Sequence, residues 1–213
     1  MLGSFSRVRP AAIRRNVLDA LRGALLSGRF EPDQEISDSV LAAEFQVSRG
    51  PVREALLILT EEGVLRHDHN RGFRIPRLTR EDMRQIVKVR EPLEIRALED
   101  ARLVVTTVDL ARLTLKHRAI DEAYALGGAS NCSCAELDFH QEIWDLSGNV
   151  WLAAALSRVC RPYFTYVSAF RLGHKGMTAE LLHSHHERYL RYLAGDEVGT
   201  AAECVRSHLN FGE

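Results

Sequence analysis

From residue 11 onward the chain alternates helical stripes with short polar breaks. In 11–27, Ile13, Val17, Leu21, Ala24 and Leu25 recur at helical spacing, and Gly28 follows as the expected C-cap. The segment GRFEPDQEIS is a turn-rich connector. A second helix is expected from Asp38 to Phe45 behind Ser37, and a third from near Arg49 behind Ser48, with Pro51 tolerated in its first turn. Val52, Ala55, Leu56 and Leu59 give the third helix its inward stripe, and Glu62-Gly63 ends it. VLRHDHNRGFRIP reads as two short strands around a turn at Asn70, Arg71 and Gly72. After a short linker at 77–80 the pattern is helical: 81–104, 108–126, 134–147, 150–171, 178–194 and 197–210. The expected fold class is mainly α. An N-terminal winged helix-turn-helix with a small β-hairpin wing occupies 1–79, and a C-terminal all-α helical bundle occupies 80–213.

Composition sharpens this division. The chain of 213 residues has a formal net charge of −1, but residues 1–80 carry 13 Arg and no Lys against 10 acids, hence +3, and the remainder carries −4. A basic front half built only on arginine suits a polyanionic partner, because guanidinium forks match phosphate and guanine. No apolar run approaches the roughly 18–20 residues of a membrane span, and no signal peptide is evident, so a cytoplasmic protein without a membrane partner is expected. The four cysteines are expected as reduced thiols; the C-x-C pair Cys132/Cys134 leaves open a redox or metal role.

Two helices joined by a three-residue turn and followed by a hairpin place the second helix in the DNA major groove, N-terminus first. Arg49 and Arg53 are one turn apart, on the face opposite the Val52/Leu56/Leu59 stripe, and Arg is the side chain best matched to guanine or phosphate. Arg71 at the hairpin tip is a candidate for the adjacent backbone or minor groove, and Gly72 lets the wing approach closely. The plainer alternative is that Arg49 pairs with a nearby acid.

The second half holds seven of nine histidines. His140 shares a face with Glu136, Leu137, Ile143 and Trp144, and Glu136 and His140 stand i, i+4. In 178–194, His185 is expected inward among Leu181, Leu182, Tyr189 and Tyr192, with His183 outward and His186 at the flank. In 197–210, His208 lies with Ala201, Cys204 and Val205. Glu136, His140, His185 and His208 thus make a ligand set for a divalent metal ion (Zn, Ni or Mn), unless each histidine is a satisfied core residue. On 81–104, Arg90 falls in the apolar stripe. A buried arginine demands an anion, either a carboxylate-bearing ligand or an internal partner such as Glu94 or Asp100.

The stretch VSRGPVREAL, followed by EEGVL and NRGF, resembles the DNA-binding domain of GntR-family bacterial regulators. VREPLEIRALEDA, ELDFHQEIWDLSGN, HERYLRYLAGD and the terminal RSHL resemble the FCD effector domain of the FadR subfamily. The resemblance implies that Arg49, Arg53 and Gly72 contact operator DNA and that Glu136, His140, His185 and His208 hold the metal, with Glu where the family has Asp. Asp33 stands where glycine is usual, Gly50 where threonine is common, and Ser39 where some members carry a DNA-contacting arginine. The family resemblance further implies a transcriptional regulator, a repressor, working as a homodimer on double-stranded operator DNA and answering to a small carboxylate effector; the inward Arg90 is the candidate to meet that carboxylate beside the metal. A metalloenzyme using a metal-bound water is the competing class, but residues 1–80 would then have no role. A purely architectural DNA-binding protein would not need inward histidines.

Overall fold

The computed structural model describes residues 10–31, 33–68, 72–128, 131–170 and 177–209. Helices α1 (Pro10–Leu26), α2 (Asp38–Glu44) and α3 (Arg49–Glu61) precede strands β1 (Arg66–Asp68) and β2 (Gly72–Arg74). Then follow α4 (Arg80–Val104), α5 (Thr107–Gly127), α6 (Ser133–Leu146), α7 (Val150–Ala169), α8 (Ala179–Ala194) and α9 (Ala201–Leu209). The expected mainly α architecture is what folds: a helical unit with an antiparallel hairpin, then helices only.

The two strands pair Arg66 with Arg74 and Asp68 with Gly72, and Ile36 bridges to Phe73. Gly72 has φ +67°, and a Cβ there would meet the Glu35 side chain at 3.1 Å. Glycine adopts that backbone conformation without strain and avoids crowding Glu35. Asp33 also has a left-handed φ of 62°, which explains why glycine suits that position. Ser37 and Ser48 precede their helices in extended conformation, but neither side chain caps; the Ser37 hydroxyl meets that of Ser39 at 2.8 Å instead. The working caps lie further on. Thr79 and Thr106 form capping boxes with Asp82 and Asp109. Thr200 and Glu203 exchange the same bonds, so α9 starts at 201 and not at 197.

One apolar cluster joins α1, α3 and the hairpin through Val17, Leu21, Leu56, Leu59 and Phe73. A second joins α4, α5, α6, α8 and α9, and a third packs α7 against α4 and α6. Helix α7 also reaches the front unit. Ala169 belongs to the first cluster, Leu26 of α1 belongs to the third, and the Ser168 hydroxyl donates to the Leu26 carbonyl at 2.8 Å. Gly28, at φ +67°, ends α1 where a Cβ would meet Ser168 at 3.1 Å.

Among the described residues no helix is long and apolar enough to cross a membrane. All four cysteines are free. Burial pushes the Cys132 thiol up to about 12 and raises Cys134 as well, which disfavours a thiolate redox or metal pair.

Candidate DNA-reading face and histidine centre

Arg49 and Arg53 project from the first turns of α3 with side chains 66% and 53% exposed. Both donate to one carboxylate: Arg49 Nη2 to Asp38 Oδ1 at 2.8 Å and Arg53 Nη1 to Asp38 Oδ2 at 3.1 Å. Asp38 itself is buried at the start of α2. Its burial works to raise the carboxyl pKa, and the bonds from Arg49 and Arg53 override it, leaving Asp38 below the usual carboxylate range. The acid expected as a plainer partner for Arg49 therefore exists. It engages one edge of each guanidinium and leaves most of both side chains facing solvent, so it orients the pair. Arg71 lies outside the described residues. Gly72 has the conformational reason given above.

Behind this unit, His140 of α6, His186 of α8 and His208 of α9 each offer a ring nitrogen, all within 4.8 Å of one another. His140 Nε2 and His208 Nε2 are 3.0 Å apart. His186 Nδ1 meets the Leu182 carbonyl at 2.8 Å, which fixes the proton on Nδ1 and leaves the Nε2 lone pair free. That Nε2 is buried with no hydrogen-bond partner, as is His208 Nδ1. Burial holds the pKa of His140 and His208 well below the ordinary value and brings His186 down to about 4. All three are thus neutral near pH 7, the form that ligates metals.

The sequence reading expects His185 as the histidine from α8, whereas the group of three donors contains its neighbour His186. The buried residues of α8 are Leu182, His186, Tyr189, Tyr192 and Leu193, while Leu181 is 40% exposed and His185 only half-buried. The 182/186/189/193 row is itself a helical i, i+4, i+7, i+11 series. Leu193 stands seven residues from His186 and Tyr192 seven from His185; Leu193 and Tyr192 are both buried, so spacing alone favours neither histidine.

Glu136 does not join the cluster of three donors. It lines a cavity of about 30 Å³ together with Arg90, Tyr163, Phe164, Leu182 and His208. Burial raises its carboxyl to about 7, against the pull of Arg90. Arg90 is 2% exposed, and its Nε donates to Glu94 Oε1 at 2.9 Å. Of the two internal partners foreseen, Glu94 is the actual one; Asp100 pairs with Arg96 at 2.7 Å. The guanidinium also lies 5.0 Å from the Tyr163 ring centroid and 5.4 Å from that of Phe164, while Arg90 Nη2 has no hydrogen-bond partner. Burial disfavours its charge, Glu94 more than restores it, and the cation persists with one donor unused at the cavity. Tyr163 at the cavity was not foreseen from the sequence, whereas Tyr189, expected inward, brings a buried hydroxyl with no hydrogen-bond partner.

The donor set fits a divalent transition ion: neutral imidazoles on three helices, a carboxylate facing the same cavity, and a backbone carbonyl fixing one tautomer.

The comparisons with known proteins agree with this layout. Residues 13–75 match the model of the gntR family of bacterial regulatory proteins, and residues 85–211 match that of the FCD domain. The chain is 28% identical to the HTH-type transcriptional regulator YdhC of Bacillus subtilis (strain 168), covering 98% of this chain and 93% of that one. It is 22% identical to the HTH-type transcriptional repressor GlaR of Escherichia coli (strain K12), with 89% of each covered. Among solved structures, E. coli McbR/YncC superposes with a TM-score of 0.76 at 21% identity, over 92% of this chain and 93% of that one, a likeness of fold. With a family DNA-binding region in front and an FCD domain over more than half its length, the chain belongs to the GntR family of bacterial transcriptional regulators.

Proposed function

We propose that this regulator is a repressor whose operator binding is set by a small carboxylate held at a metal ion in the FCD domain. In this reading α3 enters the major groove of double-stranded operator DNA with Arg49 and Arg53 foremost, and the chain works as a homodimer on an inverted repeat. Relatives named as repressors support the direction of control. His140, His186 and His208 would hold the ion, with Glu136 facing them, and the ion supplies an open coordination position for a hard oxygen ligand. Arg90 meets the remaining carboxylate charge through its unused Nη2.

The observation that carries the proposal is the convergence of three unprotonated histidine donors and a buried, half-paired arginine on one interior region. The cavity there, about 30 Å³, has room for a water or an ion and not for an organic acid of several heavy atoms. Effector entry must therefore displace side chains on α4, α6, α7, α8 and α9. A ligand that binds only a rearranged bundle shifts the domain between two arrangements, by no more than its differential affinity for them.

The test is a thermal-shift screen of small carboxylic acids on metal-replete protein, followed by footprinting with the acid that stabilises it. The expected result is stabilisation that disappears after chelation or in Arg90→Ala, together with release of a sequence-specific footprint. Full effector affinity in metal-stripped protein would overturn metal-bridged recognition.

A further inference from the structure

A second group of metal-ligating side chains lies outside the centre just described. His117 and Asp121 stand i, i+4 on α5, and His183 faces them from α8. One ring nitrogen of each histidine and one Asp121 oxygen lie within 4.8 Å of one another. His183 Nδ1 is 2.8 Å from Asp121 Oδ2, and the rings of His117 and His183 pack at 4.4 Å between centroids. We propose that His117, Asp121 and His183 form a second, outer binding site for a divalent transition-metal ion, clamping α5 to α8.

The chemistry of the three groups selects the ion. Two imidazole nitrogens and one carboxylate oxygen suit zinc, nickel or cobalt, whereas magnesium and calcium take oxygen ligands. Three protein donors leave at least one position to water.

A simple histidine–aspartate pair does not account for all three residues. Asp121 and His183 satisfy each other at the surface, with side chains 37% and 49% exposed. His117 is 5% exposed, and its buried Nε2 has no hydrogen-bond partner. A buried polar nitrogen left in that state is costly, and two imidazole rings packed at a tilt beside one carboxylate concentrate lone pairs in one place. An ion bridging the three would engage one nitrogen of each ring together with the Asp121 carboxylate. The exposure of Asp121 and His183 gives it a path from solvent.

The outer site adjoins the inner one without sharing a residue. The His117 ring is 6.1 Å from that of His186. Two nearby cations repel, so the outer ion should bind more weakly when the inner one is present.

The experiment is a Zn²⁺ titration of the chelator-stripped full-length chain against a chromophoric competitor, with bound zinc checked by elemental analysis. The wild type is expected to take two ions per chain. His183→Ala and Asp121→Asn, both surface changes that leave the fold intact, are each expected to take one. In Co²⁺-loaded protein both substitutions should remove one component of the ligand-field absorption. An unchanged stoichiometry and spectrum in both variants would overturn the proposal. His208→Ala reports on the inner centre alone, so loss of one ion in His183→Ala with none lost in His208→Ala would sink the inner site and leave this one standing.

Discussion

His140 Nε2 and His208 Nε2 face each other at 3.0 Å across 68 residues of sequence, one on α6 and one on α9. Two neutral imidazoles at that distance share either one proton or one cation. On the proposed metal reading, His186 favours the cation. Its Nδ1–H is committed to Leu182, so its Nε2 brings a third lone pair that a single shared proton cannot satisfy.

Chelation should therefore lower thermal stability, and re-addition of the ion should restore it. With free metal at 100 times its dissociation constant, the ion stabilises the folded chain against unfolding by about 2.7 kcal/mol. His140→Ala, His186→Ala and His208→Ala should each strip the inner ion, whereas His185→Ala should retain it. Elemental analysis of the four purified variants checks this, and equal metal content in all four would refute the centre.

Acid should weaken the metal-free protein in a window set by these same side chains. The folded pKa values of His140, His186 and His208 lie below the ordinary 6.5, His186 at about 4. Below 6.5 the unfolded chain binds protons that the folded chain refuses, so stability falls as pH drops. Glu136, raised from 4.5 to about 7, acts in the opposite sense, since its folded form binds the extra proton between those values and its contribution is lost as pH rises. Three protons outweigh one. The melting temperature should thus decline from pH 6.5 to 4.5, above the range where the lowered carboxyls of Asp82 and Asp109 begin to titrate. A flat profile across that window would show that the histidines are not buried together.

The elements were legible because their signals are local: repeated apolar spacing, polar breaks and the hairpin turn. Arg49 and Arg53 were legible as an outward pair for the same reason. What lay beyond one-dimensional reading was the choice among neighbours on a helix. His185 and His186 differ by one residue and 100° of rotation, and both sit near apolar side chains in sequence. Which of them is buried depends on how α8 is rolled against α6 and α9, a property of packing partners. The same holds for Arg90. Its burial was readable from its stripe, but its sharing between Glu94 and an unused donor is a matter of geometry. Asp38 as the common partner of Arg49 and Arg53 spans two helices and escaped notice because 11 and 15 residues separate it from them.

That shared carboxylate makes a prediction about recognition. Arg49→Ala and Arg53→Ala should each weaken specific operator binding by about 1–3 kcal/mol, with circular dichroism unchanged. Asp38→Asn should also reduce the ratio of specific to non-specific affinity, although Asp38 is buried and need not touch DNA. It frees both guanidinium groups from their common anchor while removing a negative charge that opposes phosphate. Non-specific binding should therefore hold or rise as specific binding falls. An unaltered ratio, measured by anisotropy at one fixed salt concentration, would mean that Asp38 does not organise the reading pair.

The route from effector to DNA can be tested at α7. Tyr163, Phe164 and Val167 of that helix line the inner cavity, and one residue later the Ser168 hydroxyl holds the Leu26 carbonyl at the end of α1. Helix α1 in turn packs on α3, which carries Arg49 and Arg53. A ligand that enlarges the cavity must move this stretch of α7, and the Ser168–Leu26 bond ties that movement to the front unit. Removing the bond should leave each site intact and weaken the link between them. Ser168→Ala is thus expected to keep the metal, the effector affinity and the effector-free operator affinity near their original values. The factor by which effector changes operator binding should shrink, and by reciprocity the factor by which operator changes effector binding should shrink equally. Titrating operator with and without saturating effector, and effector with and without operator, measures both factors. If the variant retains the full factor in both directions, the coupling runs through another contact between the two units.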